Sequence, residues 1–236
     1  MDSIKNFVDS SDEWNISNGF FLSNDVERLR KLLVREHFFK LTLELPGDIV
    51  ELGVFKGIGI SQYLKLKEIF TPASNKKIIG FDLFSESNDY KTKLNSSNLK
   101  LDEMYKKSNV SMEDGISKKD IEYFLDKMKL TKLSSEPIYE LIEGDVSISI
   151  PDYLKKNPGF RISILYMDMD IDEPTYISLN LLYDRVVRGG IIIFDEYAYH
   201  QWTESDAVDR FLNEHPDLEI KTLPWSRLPT AYIIKP

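Results

Sequence analysis

The residues best equipped for chemistry in this 236-residue chain are acids gathered in two short runs, Asp168-Met-Asp170-Ile-Asp172-Glu173-Pro174 and Asp195-Glu196. Each run closes an apolar stretch, RISILYMDMD (161–170) and GGIIIFDEY (189–197), of the kind that forms a buried strand. If those strands are neighbours, their acids share one edge, where they repel and raise one another's pKa unless a cation or a shared proton compensates. The chain has no cysteine, so an ion held there has oxygen ligands. Such a set selects a hard cation, magnesium first, with calcium or manganese next. The predicted metal ligands are Asp168, Asp195 and Glu196, with Asp168 also available as a proton acceptor. Asp170 is expected outside the ligand set, behind the ligands or in contact with a bound molecule. Asp172 and Glu173 precede or open a helix, where acids favour the dipole, and are read as capping residues. Asp168-Met-Asp170 is also a DxD, which in a glycosyltransferase would hold a metal–nucleotide-sugar.

A second group lies upstream, in Glu51-Leu-Gly53-Val-Phe-Lys-Gly57-Ile-Gly59. Glycines at a strand-to-helix turn let the backbone approach a ligand, and open α/β sheets bind ligands at the carboxyl ends of their strands. The spacing is GxxxGxG rather than the GxGxxG that cradles a dinucleotide pyrophosphate, and Glu51 would repel that anion. A carboxylate there suits a positively charged ligand, such as the amino group of S-adenosylmethionine. Asp82 ends the next apolar run, where it would accept hydrogen bonds from ribose hydroxyls. Asp145, after a third run, would reach the adenine amino group. His200, four residues after Glu196, has the pKa range of a general base. His37 and His215 are read as structural.

These residues must be held by elements that the apolar pattern predicts. Strands are expected at 48–54, 77–84, 139–146, 161–170 and 189–197, with helices between them, notably around 174–187. That alternation predicts a mostly parallel sheet covered on both faces. LEIKTL (218–223) and TAYIIK (230–235) are separated by only PWSRLP, too short for a helical crossover, so they should form an antiparallel hairpin at one end of the sheet. A parallel run finished in this way predicts an α/β, Rossmann-like class I methyltransferase sheet. Before it, Val26, Leu29, Leu32 and Leu33 recur at helical spacing behind an Asn24/Glu27 capping box, predicting a helix from Asp25 to Leu45. The chain is expected to be a single domain over 1–236, with an N-terminal arm and helix (1–46) and a lid-like insertion (85–135). Between Lys91 and Lys132 the insertion has ten lysines against seven acids, and it is expected to close over an anionic acceptor.

Charge and composition exclude several classes. With 30 Lys+Arg against 39 Asp+Glu, the net charge is −9, and no basic tract offers a nucleic-acid surface. The absence of cysteine excludes disulfides, thiolate ligands and a cysteine nucleophile. No apolar run approaches a membrane span, and the polar N-terminus has no signal-peptide core, so a cytoplasmic protein without membrane partners is expected. The aromatics of the arm, Phe7, Trp14, Phe20 and Phe21, suit burial against a second subunit or equally a cover over their own subunit's nucleoside pocket, and a homo-oligomer is expected.

Taken together, GDIVELGVFKG (47–57), IIGFDLF (78–84), DMDIDEPT (168–175), LLYDRVVRGGIIIFDEY (181–197) and AVDRFL (207–212) resemble the macrocin/mycinamicin O-methyltransferase family, in its deoxysugar branch. The resemblance spans about residues 4–214. It implies S-adenosylmethionine as donor and magnesium-dependent methylation of a sugar hydroxyl, with metal aspartates at Asp168, Asp195 and position 196. Here position 196 is Glu, where the family more often has a second Asp. The cofactor contacts expected on this basis are Glu51, Gly53, Val54, Gly57, Ser61, Asp82, Leu83, Asp145, Val146 and Asp168, with His200 and Asp168 as the catalytic pair. A catechol-like acceptor fits the same carboxylates, because a catechol and a vicinal sugar diol both chelate through adjacent hydroxyls. The DxD glycosyltransferase is the other alternative.

Overall fold

The computed structural model describes residues 26–84, 117–128, 130–131 and 137–236. In chain order these form α1 (Val26–Leu41), β1 (Asp48–Leu52), α2 (Ile58–Phe70), β2 (Ile78–Asp82), α3 (Lys118–Asp126), β3 (Tyr139–Glu143) and α4 (Val146–Lys156). The second half adds β4 (Ile162–Met167), α5 (Asp172–Leu182), β5 (Val186–Phe194), α6 (Glu204–Glu214), β6 (Ile220–Lys221) and β7 (Ala231–Ile234). The N-terminal arm and most of the 85–135 insertion lie outside the described residues.

The strands form one seven-stranded sheet of order β3-β2-β1-β4-β5-β7-β6. β1 to β5 pair in parallel, and β7 runs antiparallel to both β5 and β6. The short PWSRLP connection thus makes the expected hairpin, and the class I methyltransferase architecture follows.

Both faces of the sheet are buried, which is why the strands read as continuous apolar runs rather than alternating ones. Ile49, Ile78, Ile164, Tyr166, Ile191 and Ile193 point to one face, under α1, α2 and α3. Val50, Leu52, Ile79, Phe81, Leu165, Met167, Ile192 and Phe194 point to the other, under α4, α5 and α6. A register shift between Ile162 and Ile164 resets the phase of β4 against both neighbours.

Three details differ from the sequence pattern. α1 stops at Leu41 rather than Leu45. The Thr42 hydroxyl lies 3.1 Å from the carbonyl oxygens of both Phe38 and Phe39, and the backbone tightens into turns before Pro46. The stripe α1 buries is Val34, Arg35, Phe38 and Phe39, while Val26, Leu29 and Leu33 are exposed. The helix expected to 187 ends at Leu182, followed by a single 3-10 turn, Tyr183–Arg185, so β5 starts at Val186.

Within the insertion, α3 packs Ile121 and Leu125 into the core. Among the described residues, no helix is long and apolar enough to cross a membrane.

Candidate active site

Four backbone hydrogen bonds tie the carboxyl ends of the five parallel strands into one row. Gly144 N donates to Asp82 O, Gly53 N to Phe81 O, Asp168 N to Leu52 O and Asp195 N to Met167 O, all at 2.8–3.0 Å. The acids singled out in the sequence therefore stand along one edge in the spatial order Asp145, Asp82, Glu51 with its glycines, Asp168, Asp195.

At the centre, the chain leaves β1 through left-handed residues Gly53 (φ 88°), Phe55 (φ 49°) and Gly57 (φ 77°). A β-carbon on Gly53 would lie 1.7 Å from the carbonyl oxygen of Asp168, so this turn must be glycine for β1 and β4 to meet. Asp82 braces the turn from the next strand. Its Oδ2 accepts from the Val54 and Phe55 N–H groups at 2.7 and 2.9 Å, and its Oδ1 accepts from Phe84 N–H at 2.9 Å. A carboxylate has about four acceptor sites, so a ribose hydroxyl would meet Asp82 at Oδ1. Leu83 follows it, half-buried.

Ser61 N–H donates to Gly57 O in the first turn of α2. Asp145 is exposed and N-caps α4, its Oδ1 accepting from Ser147 N–H at 2.8 Å, while Val146 is buried. α3 reaches this edge too, since a β-carbon on Gly57 would lie 2.6 Å from Ile121 Cγ2.

Glu51 is buried beneath the first turn of α2, where a β-carbon on Gly59 would lie 1.8 Å from Glu51 Oε1. Its charge is matched by Arg35 of α1, whose Nη2 is 3.0 Å from Oε1. Arg35 also donates to Gln62 Oε1 at 2.9 Å and lies over the Tyr166 ring, 4.5 Å from its centroid. Burial still pushes the Glu51 carboxyl above its ordinary range against the pull of Arg35, and Oε2 has no hydrogen-bond partner among the described residues.

The carboxylates after β4 and β5 come together as the residue types required. One oxygen each of Asp168, Asp195 and Glu196 lies within 4.8 Å of the others. Asp170 is not in that group, as expected. It takes a left-handed φ of 66°, and its carbonyl accepts from Thr203 N–H at 3.1 Å. Asp172 and Glu173 open α5 and pair with exposed Arg210.

Asp195 is fully buried. Its Oδ2 accepts from Lys31 Nζ at 2.7 Å and its Oδ1 from the Tyr166 hydroxyl. Glu204 of α6, also fully buried, accepts the Glu196 N–H at 3.2 Å through Oε1, while Glu196 Oε2 and Glu204 Oε2 have no partner among the described residues.

The electrostatics follow from this packing. Burial, reinforced by the charges of Asp195 and Asp168, pushes the carboxyls of Glu196 and Glu204 well above their ordinary range. Asp168 moves the same way, through burial and Asp195, against the opposing pull of Lys31. Asp195 alone goes down: burial works against its charge, but Lys31 and the hydrogen bonds it receives outweigh that cost. Lys31 is held above the ordinary lysine range by Asp168 and Asp195 despite burial. It is thus a fixed cation rather than a base.

His200 is exposed in the turn after Glu196, and among the described residues no hydrogen bond joins it to the carboxylates. His37 packs edge-on to Phe38 and Trp225, and His215 stacks on Phe211 and Tyr183, as structural histidines do.

Lys31, Arg35, Tyr166 and Glu204 were not foreseen. A signal existed for one pair: Lys31, Arg35 and Phe38 follow the i, i+4, i+7 spacing of a single helix face, so two cations share the face that buries Phe38. Glu204 looks like an ordinary first-turn acid, and its burial follows only from the docking of α6 against the turn at 195–203.

The described residues fit a divalent cation. The donors are all oxygen, Glu196 Oε2 lacks a partner among the described residues, and the acids Glu51, Asp168, Asp195, Glu196 and Glu204, all but Asp168 buried, outnumber the cations Lys31 and Arg35.

Comparison with known proteins agrees with this geometry. The family model for macrocin O-methyltransferase (TylF) matches residues 27–221. A crystal structure of the calicheamicin methyltransferase CalS11 superposes with a TM-score of 0.71 at 22% identity, covering 99% of this chain and 90% of that one. Its apo form, described as a TDP-rhamnose 3'-O-methyltransferase, gives 0.67 at 24% identity, covering 98% and 90%. The O-methyltransferase NovP gives 0.69 at 20% identity, covering 87% and 79%. No curated protein sequence matches the chain at a significant level. The chain belongs to the macrocin O-methyltransferase family and is an O-methyltransferase with the class I fold.

Proposed function

We propose that this enzyme transfers the methyl group of S-adenosylmethionine to a hydroxyl of a deoxysugar, with a divalent cation held by Asp168, Asp195 and Glu196. The observation that carries this reading is the excess of buried acids at the strand edge, with Glu196 Oε2 unpartnered, directly beside the glycine turn that ends β1. The family points to sugar acceptors, and the description of CalS11 names a nucleotide-linked deoxysugar. An acceptor with a diphosphate matches the lysine excess of the insertion. Membership of a methyltransferase family removes the DxD glycosyltransferase reading.

The donor is assigned to the row Asp145, Asp82 and the Gly53–Ser61 turn. Adenine lies towards Asp145 and Val146, ribose at Asp82 Oδ1 beside Leu83, and the amino acid moiety over the turn from Gly53 and Val54 to Gly57. Glu51 keeps Oε2 free for a cationic group because Arg35 already holds Oε1.

A sugar hydroxyl is a weak nucleophile at neutral pH. The cation, when bound, stabilises developing negative charge on that oxygen. The chain's own residues fix its position: Asp168 lies where the glycine turn meets the carboxylates, so an acceptor resting on it sits beside the donor. Asp168 is also the proposed proton acceptor, being partly exposed where Asp195 is enclosed by Tyr166 and Lys31. His200, exposed in the turn after Glu196, is proposed to contact the acceptor. Functional oligomerisation through the aromatic arm is part of the same proposal.

Calorimetric titration of S-adenosylhomocysteine, with magnesium and with chelator, tests the reading. Micromolar binding is expected in both conditions, tightened or accompanied by separate magnesium binding in the first. An absence of binding in both would overturn it.

A further inference from the structure

Lys31 stands where the proposed metal ion would. Its Nζ is 2.7 Å from Asp195 Oδ2 and 4.0 Å from Asp168 Oδ2, so it bridges two of the three carboxylates assigned to the cation. An ammonium has three donors and no lone pair, and therefore cannot become a metal ligand. A divalent ion bound by the same oxygens at about 2.0–2.6 Å would lie within a few ångströms of Nζ. Two positive charges at that separation repel, and in a partly buried site the repulsion is poorly screened.

We infer that Lys31 is a tethered competitor for the metal site: it neutralises the carboxylates when no metal is bound and must withdraw when a divalent cation enters, so it sets the affinity of the site. This rests on the metal-assisted reading of the carboxylate cluster.

The architecture supplies both the tether and the exit. One helical turn on from Lys31, Arg35 is pinned to Glu51 and Gln62 and lies on Tyr166, so α1 is anchored, while the flexible four-carbon stem of Lys31 is partly exposed. The Tyr166 hydroxyl stays on Asp195 Oδ1, leaving Oδ2, the oxygen Lys31 now holds, as the one to be surrendered. Among the described residues, the charges that act on Lys31 come from Arg35 on its own helix and from Glu51, Asp168 and Asp195 on the sheet. The exchange thus replaces one positive charge by two beside the same acids. The enzyme without metal is thereby protected against an uncompensated cluster of buried carboxylates, and weakly binding ions are rejected because each must first displace Lys31.

Manganese binding to the full chain, read from the paramagnetic resonance signal of free Mn²⁺, tests this without any turnover. Lys31→Met and Lys31→Gln remove the competing charge, whereas Lys31→Arg keeps it. Thermal unfolding and S-adenosylhomocysteine binding check that each variant is folded. The expected result is Mn²⁺ affinity raised on the order of tenfold in the Met and Gln variants, a size common for coupled equilibria, with the Arg variant close to wild type. Metal binding that appears only in the neutral variants supports the inference equally. Unchanged or weaker binding in folded neutral variants overturns it and leaves the metal reading standing. If neither wild type nor any folded variant binds Mn²⁺, both are overturned.

Discussion

Replacing Arg35 by methionine keeps much of its apolar stem but strips the positive charge from a buried pair in which Arg35 and Glu51 are both almost fully enclosed. Glu51 would be left with neither oxygen in an ion pair, beneath a helix turn whose Gly59 packs directly against the carboxylate. Breaking a buried pair from one side costs about 3–5 kcal/mol. At about 2–4 °C per kcal/mol for a chain of this size, the melting temperature should fall by about 6–20 °C. Glu51→Gln alone leaves Arg35 with Gln62 and the Tyr166 ring but without its counter-charge, and should also destabilise. The double variant removes both charges, so it should be less destabilised than the sum of the two by at least about 1 kcal/mol. The assay is urea and thermal unfolding of the four proteins in chelator, followed by far-ultraviolet circular dichroism. Arg35→Met within about 1 kcal/mol of wild type, or strict additivity in the double variant, would refute the claim that this pair anchors α1 to the donor turn.

Three other outcomes follow from the geometry. Gly59→Ala places a β-carbon on Glu51 Oε1, so S-adenosylhomocysteine affinity should drop on the order of tenfold with a stability loss of about 1–3 kcal/mol, measured by calorimetry and unfolding. Asp82→Asn turns one acceptor of the Val54, Phe55 and Phe84 N–H groups into a donor; it should cost about 1–3 kcal/mol and weaken S-adenosylhomocysteine binding while Mn²⁺ binding is retained. In chelator, stability should decline as pH rises above about 4, through the raised values of Asp168, Glu196 and Glu204, because the folded state there holds protons that the unfolded state has released. Asp195, shifted down, contributes in the opposite sense: its stabilisation is complete above its unfolded value and is lost only as pH falls through the folded one. Saturating magnesium should flatten or reverse the decline, and a profile identical with and without the ion would contradict the site.

Much of the fold was legible because each parallel strand is buried on both faces and so reads as an apolar run, and because the six residues between the last two runs allow only a hairpin. The acids after β4 and β5 were legible for the same reason, since neighbouring strands deliver their ends to one edge. What escaped is the contribution of α1. Lys31 and Arg35 are charged, and a charge on an amphipathic helix ordinarily marks its solvent face; only tertiary pairing, across 164 residues from Lys31 to Asp195, makes that face the inner one. The apolar residues at Val26, Leu29 and Leu33 pointed to the wrong stripe. Glu204 escaped because an acid in a first helical turn is favoured by the dipole whether or not it is buried. Of the predicted catalytic pair, Asp168 sits at the junction of the two halves of the site, whereas His200 is exposed in the turn after Glu196.

The most direct test of the account is methyl transfer itself. S-adenosylmethionine carrying a labelled methyl group would be incubated with the enzyme and a panel of nucleotide-linked and glycosidic deoxysugars, with magnesium or with chelator, beside a panel of catechols. The account predicts label on a sugar hydroxyl, lost in chelator and in Asp168→Asn, with the catechols unlabelled. Label transferred equally well in chelator, or to catechols alone, would contradict it.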